Sequence, residues 1–144
     1  MFEKYLNNRF LIIYLTPFIL GSLTITSFHP FNFTVVNLVI FPLFFYLICF
    51  INKKSKSVYR KKPLRKNLFI FGLFFGFGFY LSGISWITHS LTFDNNFKAL
   101  IPFALILIPL FLSLFIALPV LFIGPHLNFN FSSLLFFSGI LAFS

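Results

Sequence analysis

The chain has 144 residues, of which 59% are hydrophobic and 9% are charged, and its formal net charge is +9. Soluble domains carry about 25% charged residues, and the two acidic and eleven basic residues present cannot cover the surface of a soluble protein of this length. The composition therefore excludes an ordinary water-soluble domain and predicts an integral membrane protein.

Three long stretches contain no Asp, Glu, Lys or Arg: residues 10–51, 68–93 and 99–144. A spanning helix needs about 20 apolar residues, and a charge at mid-bilayer costs at least ~2.5 kcal/mol. Because backbone groups in lipid must bond within helices, we predict an all-α polytopic membrane helix bundle with four transmembrane helices and the start of a fifth. The predicted spans, forming one N-terminal transmembrane region over residues 1–144, are 10–28, 31–51, 68–91, 99–123 and 132–144, the last incomplete.

A turn divides the first charge-free stretch into two spans. Pro30 lacks a backbone donor and disfavours helix at His29, so the segment His29-Pro30-Phe31-Asn32 is predicted to reverse the chain. Other prolines lie inside the predicted spans, where we expect neighbouring helices to accommodate a kink at each. They are Pro17, Pro42, Pro102, Pro109 and Pro119.

The basic residues predict the orientation. Segment 52–67 contains eight cations and no acid, and the N-terminus adds Lys4 and Arg9. Positive segments stay in the cytoplasm, so the N-terminus is expected inside, and the turn at His29 and the loop 92–98 outside. A nucleic-acid site is disfavoured, because Tyr59 is the only aromatic in the segment. Attraction to anionic lipid headgroups is the favoured secondary role.

The third span is rich in small residues. At about 100° per residue, Gly72, Gly76 and Gly83 lie within roughly 40° of one another, and Gly78, Ser82 and Ser85 form a second stripe roughly 120° away. Small residues let helix backbones approach closely. These six residues are therefore predicted helix-packing positions, on a helix that contacts two neighbours in the middle of the bundle.

No catalytic, cofactor-binding or metal-binding residue is predicted. Cys49 is the only cysteine and lies at the cytoplasmic end of the second span, where it is interpreted as a buried, inert thiol. The only acids, Glu3 and Asp94, are expected on opposite sides of the membrane, so they cannot form a carboxylate pair. A proton-coupled transporter usually carries an intramembrane acid, and the predicted spans contain none.

Three residues near the outer ends of the spans are candidates for contact with lipid at the outer face: His29, Trp86 and His89. His29 lies in the first outer turn, and His89 shares the face of Gly78 and Ser82. The alternative interpretation is that the histidines make ordinary interfacial hydrogen bonds.

Two segments resemble the bacterial apolipoprotein N-acyltransferase family. Phe75-Gly76-Phe77-Gly78-Phe79, followed by Ser82-Gly83-Ile84-Ser85-Trp86 and Ser90, is similar to the family's third transmembrane helix. Leu20-Gly21-Ser22-Leu23, followed by Phe28-His29-Pro30-Phe31-Asn32, is similar to its first hairpin. The resemblance covers essentially the whole chain.

The resemblance implies a multi-pass protein of the bacterial inner membrane that moves an acyl chain from a phospholipid to the N-terminal diacylglyceryl-Cys of a lipoprotein. In the family, a Cys thioester forms with help from Glu and Lys in an outward-facing nitrilase-like domain, inserted before the last of eight helices. The present sequence contains none of that domain, so we expect these 144 residues alone to be inactive, with the domain encoded separately as one alternative. The competing interpretation is a non-catalytic small multi-pass membrane protein or a truncated gene product.

Overall fold

The structure, a computed structural model, describes residues 10–28, 32–57, 64–91 and 101–143, with side chains except at 54–57, 85–91, 101 and 141–143. Five helices account for nearly all of the described chain, and no strand occurs in these ranges. Their bounds are α1 Leu11–Ser27, α2 Thr34–Ser57, α3 Leu64–Leu91, α4 Ile101–Ile123 and α5 Phe131–Phe143.

Helix α1 changes its winding twice. It opens with a π-helical turn, Leu11–Leu15, and closes with a 3₁₀ turn, Ile25–Ser27. Pro17 follows the π turn and, lacking an N–H group, cannot continue the ladder of backbone hydrogen bonds. The Leu11 carbonyl accepts two hydrogen bonds from Thr16, one from its backbone N–H and one from its hydroxyl at 2.8 Å.

The break between α1 and α2 coincides with the predicted turn. Asn32 has a φ of 54°, in the left-handed region that Asn tolerates better than most residues. Its N–H bonds the Phe28 carbonyl at 3.1 Å, and the Phe33 N–H bonds the Thr26 carbonyl at 3.0 Å. The Ser27 hydroxyl also donates to the Phe33 carbonyl, so local hydrogen bonds stabilise the reversal.

Helices α2 and α3 both extend beyond the predicted spans. Helix α2 continues to Ser57 instead of ending near Ile51, and α3 begins at Leu64 instead of Leu68. Part of the basic segment is therefore helical. Lys and Arg are good helix formers, and they can continue a helix into the polar headgroup layer.

Contacts between residues establish the directions of the helices. Gly21 and Ile25 of α1 meet Phe75 and Gly83 of α3 in the same order, so these two helices run parallel. Helix α4 runs antiparallel to α3, since Gly72 meets Val120 whereas Gly76 meets Ser113. Helix α3 lies in the middle and packs most extensively against α4 and α1.

The core is aromatic. Phe44 of α2 stacks on Phe71 of α3 with ring centroids 5.3 Å apart and approaches Phe75 at 4.0 Å. Phe137 of α5 lies 5.9 Å from both Phe44 and Phe45. Phe44 and Phe71 are fully buried, so this cluster joins α2, α3 and α5.

The predicted fold class, an all-α membrane helix bundle, is confirmed. Among the described residues, three helices are long and apolar enough to cross a membrane: Thr34–Lys53, Leu64–Ile84 and Pro102–His126. Apolar side chains such as Leu38, Phe103 and Phe122 are largely exposed on the outside of the bundle, as lipid-facing positions are. Helix α1 is shorter, but its 17 residues extend about 25 Å, near the lower limit for a span. The number of spans stays a prediction.

Orientation can be tested by cysteine accessibility. In a Cys49→Ser background, we expect Asn95→Cys to react with a membrane-impermeant maleimide on intact cells, because residue 95 lies in the predicted outer loop. Ser57→Cys should react only after the membrane is permeabilised, since it lies in the basic segment. If both positions react in intact cells, the predicted orientation is wrong.

Candidate functional site

Two glycines of α3 allow α4 to approach closely. A Cβ atom on Gly76 would lie 2.8 Å from the Ser113 Cα, and one on Gly72 would lie 3.0 Å from the Ala117 Cα. Both neighbours are backbone atoms, which cannot move aside as a flexible side chain would. Ser113 is itself fully buried, and its hydroxyl donates to the Leu110 carbonyl at 2.6 Å. Gly72 and Gly76 therefore form the contact surface for α4.

A second contact surface of α3 meets α1. A Cβ on Gly78 would overlap the Phe18 carbonyl oxygen, and a Cβ on Gly21 would overlap the Phe75 carbonyl oxygen. The Ser22 hydroxyl donates to the Gly78 carbonyl at 3.3 Å. The reciprocal glycines bring the two backbones into direct contact, in the manner of small-residue interfaces in membranes.

The position of Gly83 differs from the helical-wheel prediction. The wheel grouped it with Gly72 and Gly76, whereas the structure directs it toward Ile25 of α1, whose Cδ1 would lie 3.1 Å from an added Cβ. The long Ile25 side chain of α1 reaches Gly83 across the face of α3. The ideal helical angle between Gly72 and Gly83, eleven residues apart, therefore did not identify the neighbour of Gly83. Ser82 is partly buried nearby.

Several predicted site residues cannot be placed. His29 lies outside the described residues, and only the backbone is described at Ser85, Trp86 and His89. The predicted contact of His29, Trp86 and His89 with outer lipid therefore stays a prediction.

A cavity of about 600 Å³ lies beside the aromatic core, between α2 and its neighbours. It extends toward the end of the bundle where α1 ends and α2 begins, which is the predicted outer end. Its walls are mostly aromatic and aliphatic, and the side chains at its mouth, such as Leu38, are exposed on the outside of the bundle. The lining residues are Thr24, Asn37, Leu38, Phe41, Pro42, Phe45, Phe75, Phe79, Tyr80, Ile116, Leu134, Phe137 and Ser138.

The cavity contains an unusual polar group. The side-chain oxygen of Asn37 is buried and has no hydrogen-bond partner within the described residues. Two of the hydroxyls that line the cavity are engaged elsewhere, because Thr24 donates to the Leu20 carbonyl and Ser138 to the Leu135 carbonyl, both at 2.9 Å. A buried polar group without a partner costs about 1–3 kcal/mol, so Asn37 marks a place where a ligand or water would supply a donor.

A second amide lies at the opposite end of α2. Asn52 is 2% exposed, and its Nδ2 donates to three carbonyls of the turn that follows α4, those of Gly124 at 3.3 Å, Pro125 at 3.0 Å and Leu127 at 2.9 Å. These bonds fasten the C-terminal part of α2 to the connection between α4 and α5.

The described residues contain no arrangement suited to covalent catalysis. Cys49 is buried in the aromatic half of α2 and is free. Glu3 and Asp94 lie outside the described ranges, and no cluster of three His, Cys, Asp or Glu occurs within them. The described helices thus offer a packed scaffold and a cavity.

Sequence analysis missed Asn37, Tyr80 and Asn52 as contributors to specific sites. A signal was present for Asn37, since it is the only amide between Thr34 and Ile51 of α2, and a polar side chain within a predicted span is a candidate for a functional role. Only the folded chain shows that Tyr80 and Asn37 line the same cavity and that Asn52 meets a turn more than 70 residues away.

The fold and its apolar exterior define a polytopic helical membrane protein. The chain belongs to the apolipoprotein N-acyltransferase family, because residues 20–144 match the family model described as the apolipoprotein N-acyltransferase N-terminal domain. It is 33% identical over 106 residues to the apolipoprotein N-acyltransferase of Brucella melitensis biotype 1 and 32% identical over 106 residues to that of Brucella suis biovar 1. No solved structure matches.

These matches concern one part of a longer enzyme. The aligned region covers 72% of this chain and 19% of each Brucella protein. The chain therefore spans about a fifth of the length of the curated relatives it matches.

Proposed function

We propose that this chain is the membrane part of an apolipoprotein N-acyltransferase of the bacterial inner membrane, with its N-terminus in the cytoplasm. The reaction transfers an acyl chain from a phospholipid to the amino group of the N-terminal diacylglyceryl-Cys of a lipoprotein. The observation that carries the proposal is the family match over residues 20–144. The alternative is a non-catalytic small multi-pass membrane protein or a truncated gene product.

The cavity supports a role for these helices in holding the donor lipid. Its apolar walls suit an acyl chain, which is the most abundant apolar ligand inside a bilayer, and exposed Leu38 at its mouth leaves a lateral path from the lipid. The acceptor oxygen of Asn37 would take a hydrogen bond from a donor group of the bound lipid or from water. The cavity reaches the predicted outer end, where a lipoprotein substrate would meet it.

The chemistry itself is assigned to residues outside these 144. An ester must be attacked by an activated nucleophile, and a cysteine serves only as its thiolate. Cys49 is buried among apolar side chains toward the predicted cytoplasmic end. The transition state also needs hydrogen-bond donors aimed at the developing oxyanion, whereas the backbone donors of a helix are already bonded within it. A nitrilase-like domain, on the same chain or separately encoded, would supply these groups.

A chimera tests this proposal. Residues 20–144 would replace the matching region of the Brucella melitensis enzyme, and we expect the purified chimera to convert a diacylated lipoprotein peptide into the triacylated product, followed by mass spectrometry. The 144-residue chain alone should form no product above a protein-free control.

Two results would contradict the proposal. The first is a chimera that inserts and folds but forms no product, because the helices would then be unable to serve the enzyme. The second is product from the 144-residue chain that disappears on Cys49→Ala, which would place the chemistry on Cys49. Product from the chain only after a separately expressed nitrilase-like domain is added would support a split enzyme.

A further inference from the structure

Three exposed cations lie at the predicted inner ends of α2 and α3. Lys53, Arg65 and Lys66 are exposed, and we call them the basic rim. No acidic residue occurs between residues 4 and 93, so no acid of the described helices neutralises the rim.

The basic rim lies at the depth of lipid headgroups. The apolar window of α2 ends at Lys53, and that of α3 begins at Leu64. Long basic side chains at the ends of spanning helices extend toward the headgroup layer while their stems stay against apolar surface. The rim is therefore positioned to meet phosphate groups.

Favourable interaction with the helix dipoles does not explain the positions of all three cations of the basic rim. Lys53 lies in the C-terminal part of α2, where a cation is favourable, but Arg65 and Lys66 lie in the first turn of α3, where a cation is unfavourable. That turn contains no acidic residue. An external anion would remove the repulsion.

An aromatic surface lies directly below Lys53. Tyr46 precedes Lys53 by seven residues, two helical turns, and so shares its face of α2. The Tyr46 ring lies 5.5 Å from Phe129 and 6.5 Å from Phe50, and Tyr46 and Phe129 remain 51% and 52% exposed. We call these three rings the aromatic step, a surface against which an acyl chain can lie.

Asn52 holds this surface together. Its three hydrogen bonds fasten the turn after α4 to α2, and Phe129 follows that turn by two residues. The aromatic step is therefore formed by two separate segments that Asn52 keeps in contact, on the same end of the bundle as the basic rim.

We propose that the basic rim and the aromatic step form a binding site for an anionic phospholipid, whose phosphate contacts the cations and whose acyl chain lies on the rings. The site goes beyond the proposed acyl transfer, because Lys53 lies sixteen residues from Asn37 along α2, roughly 24 Å at 1.5 Å per residue. It has no reactive group and serves for binding alone.

A tryptophan reporter tests the site in bilayers. Trp86 is the only tryptophan, so Trp86→Phe with Tyr46→Trp leaves one fluorophore, on the aromatic step. The 144-residue chain would be reconstituted into phosphatidylcholine containing brominated phosphatidylglycerol or, at the same mole fraction, brominated phosphatidylcholine. We expect the anionic lipid to quench more strongly, with a preference of about fivefold per cation, equivalent to about 1 kcal/mol each, that falls at high salt.

Charge variants decide the assignment. Each of the single variants Lys53→Gln, Arg65→Gln and Lys66→Gln should lower the preference. The triple variant should lower it most, leaving only the part due to the five other cations of segment 52–67. Lys98→Gln, which removes the same charge in the predicted outer loop, should leave it unchanged, and circular dichroism checks that each variant is helical. Equal quenching by the two lipids would overturn the proposal, and so would a triple variant whose preference equals that of the unchanged protein. Equal quenching together with retention of an added oligonucleotide that depends on the rim residues would indicate a nucleic-acid site instead. The result is independent of acyltransferase activity.

Discussion

Gly78→Leu is expected to disrupt the bundle at the contact between α1 and α3. The added Cβ would overlap the Phe18 carbonyl oxygen, a backbone atom of α1, so relief requires the two helices to move apart. Overpacking a well-packed interior costs about 1–3 kcal/mol and sometimes more, and Gly78→Leu should reach the upper part of this range. The measurement is the free energy of unfolding in detergent, followed by loss of helical circular dichroism.

Two further variants make this prediction specific. Gly76→Leu should destabilise the bundle at the other surface of α3, because its Cβ would lie 2.8 Å from the Ser113 Cα. Gly139→Leu is the matched control, since no described atom lies within 4 Å of a Cβ at that position of α5. If Gly78→Leu and Gly139→Leu unfold with the same free energy, α1 and α3 are not in close backbone contact.

Asn52→Leu is expected to loosen the end of the bundle where α2 meets the connection between α4 and α5. The variant keeps the number and branching of the side-chain heavy atoms but removes the donor that serves the carbonyls of Gly124, Pro125 and Leu127. Leaving buried acceptors without a donor costs about 1–3 kcal/mol, and this loss should appear in the same unfolding assay.

The matched control for this variant is Asn128→Leu. Asn128 is exposed in the neighbouring segment, so the same chemical change there should alter the free energy of unfolding by less than about 0.5 kcal/mol. A result in which both variants are equally stable would show that Asn52 does not fasten the turn. Asn52→Leu should also weaken the proposed lipid preference, because Phe129 would no longer be held against Tyr46.

Cys49 and the histidines differ in how much the sequence predicts about their roles. The position of Cys49 within a span and the scarcity of acids led to the prediction that these residues hold no catalytic group, and this stays a prediction. The suggestion that His29 and His89 meet outer lipid depends on side-chain positions that adjacent sequence does not determine. The family match covers residues 20–144 and indicates the same family as the short Phe75–Phe79 motif.

The sequence by itself determined that the protein is a helical membrane bundle and approximately where its helices lie, although α2 and α3 are longer than predicted. Charge-free runs of the length of a bilayer leave no alternative to helices, because lipid offers backbone groups no partners. The small residues of α3 also predicted a central helix with two neighbours, since glycine spacing directly reports how closely a backbone can be approached.

The partners on each face were decided only by the tertiary structure. Gly83 faces Ile25 instead of α4, Asn37 opens into a cavity formed by five helices, and Asn52 meets carbonyls more than 70 residues away. The physical reason is that apolar helices present similar surfaces in every direction, so periodicity does not distinguish one neighbour from another. The choice is made by packing and by the few polar groups that must find partners, and both depend on how the whole chain assembles.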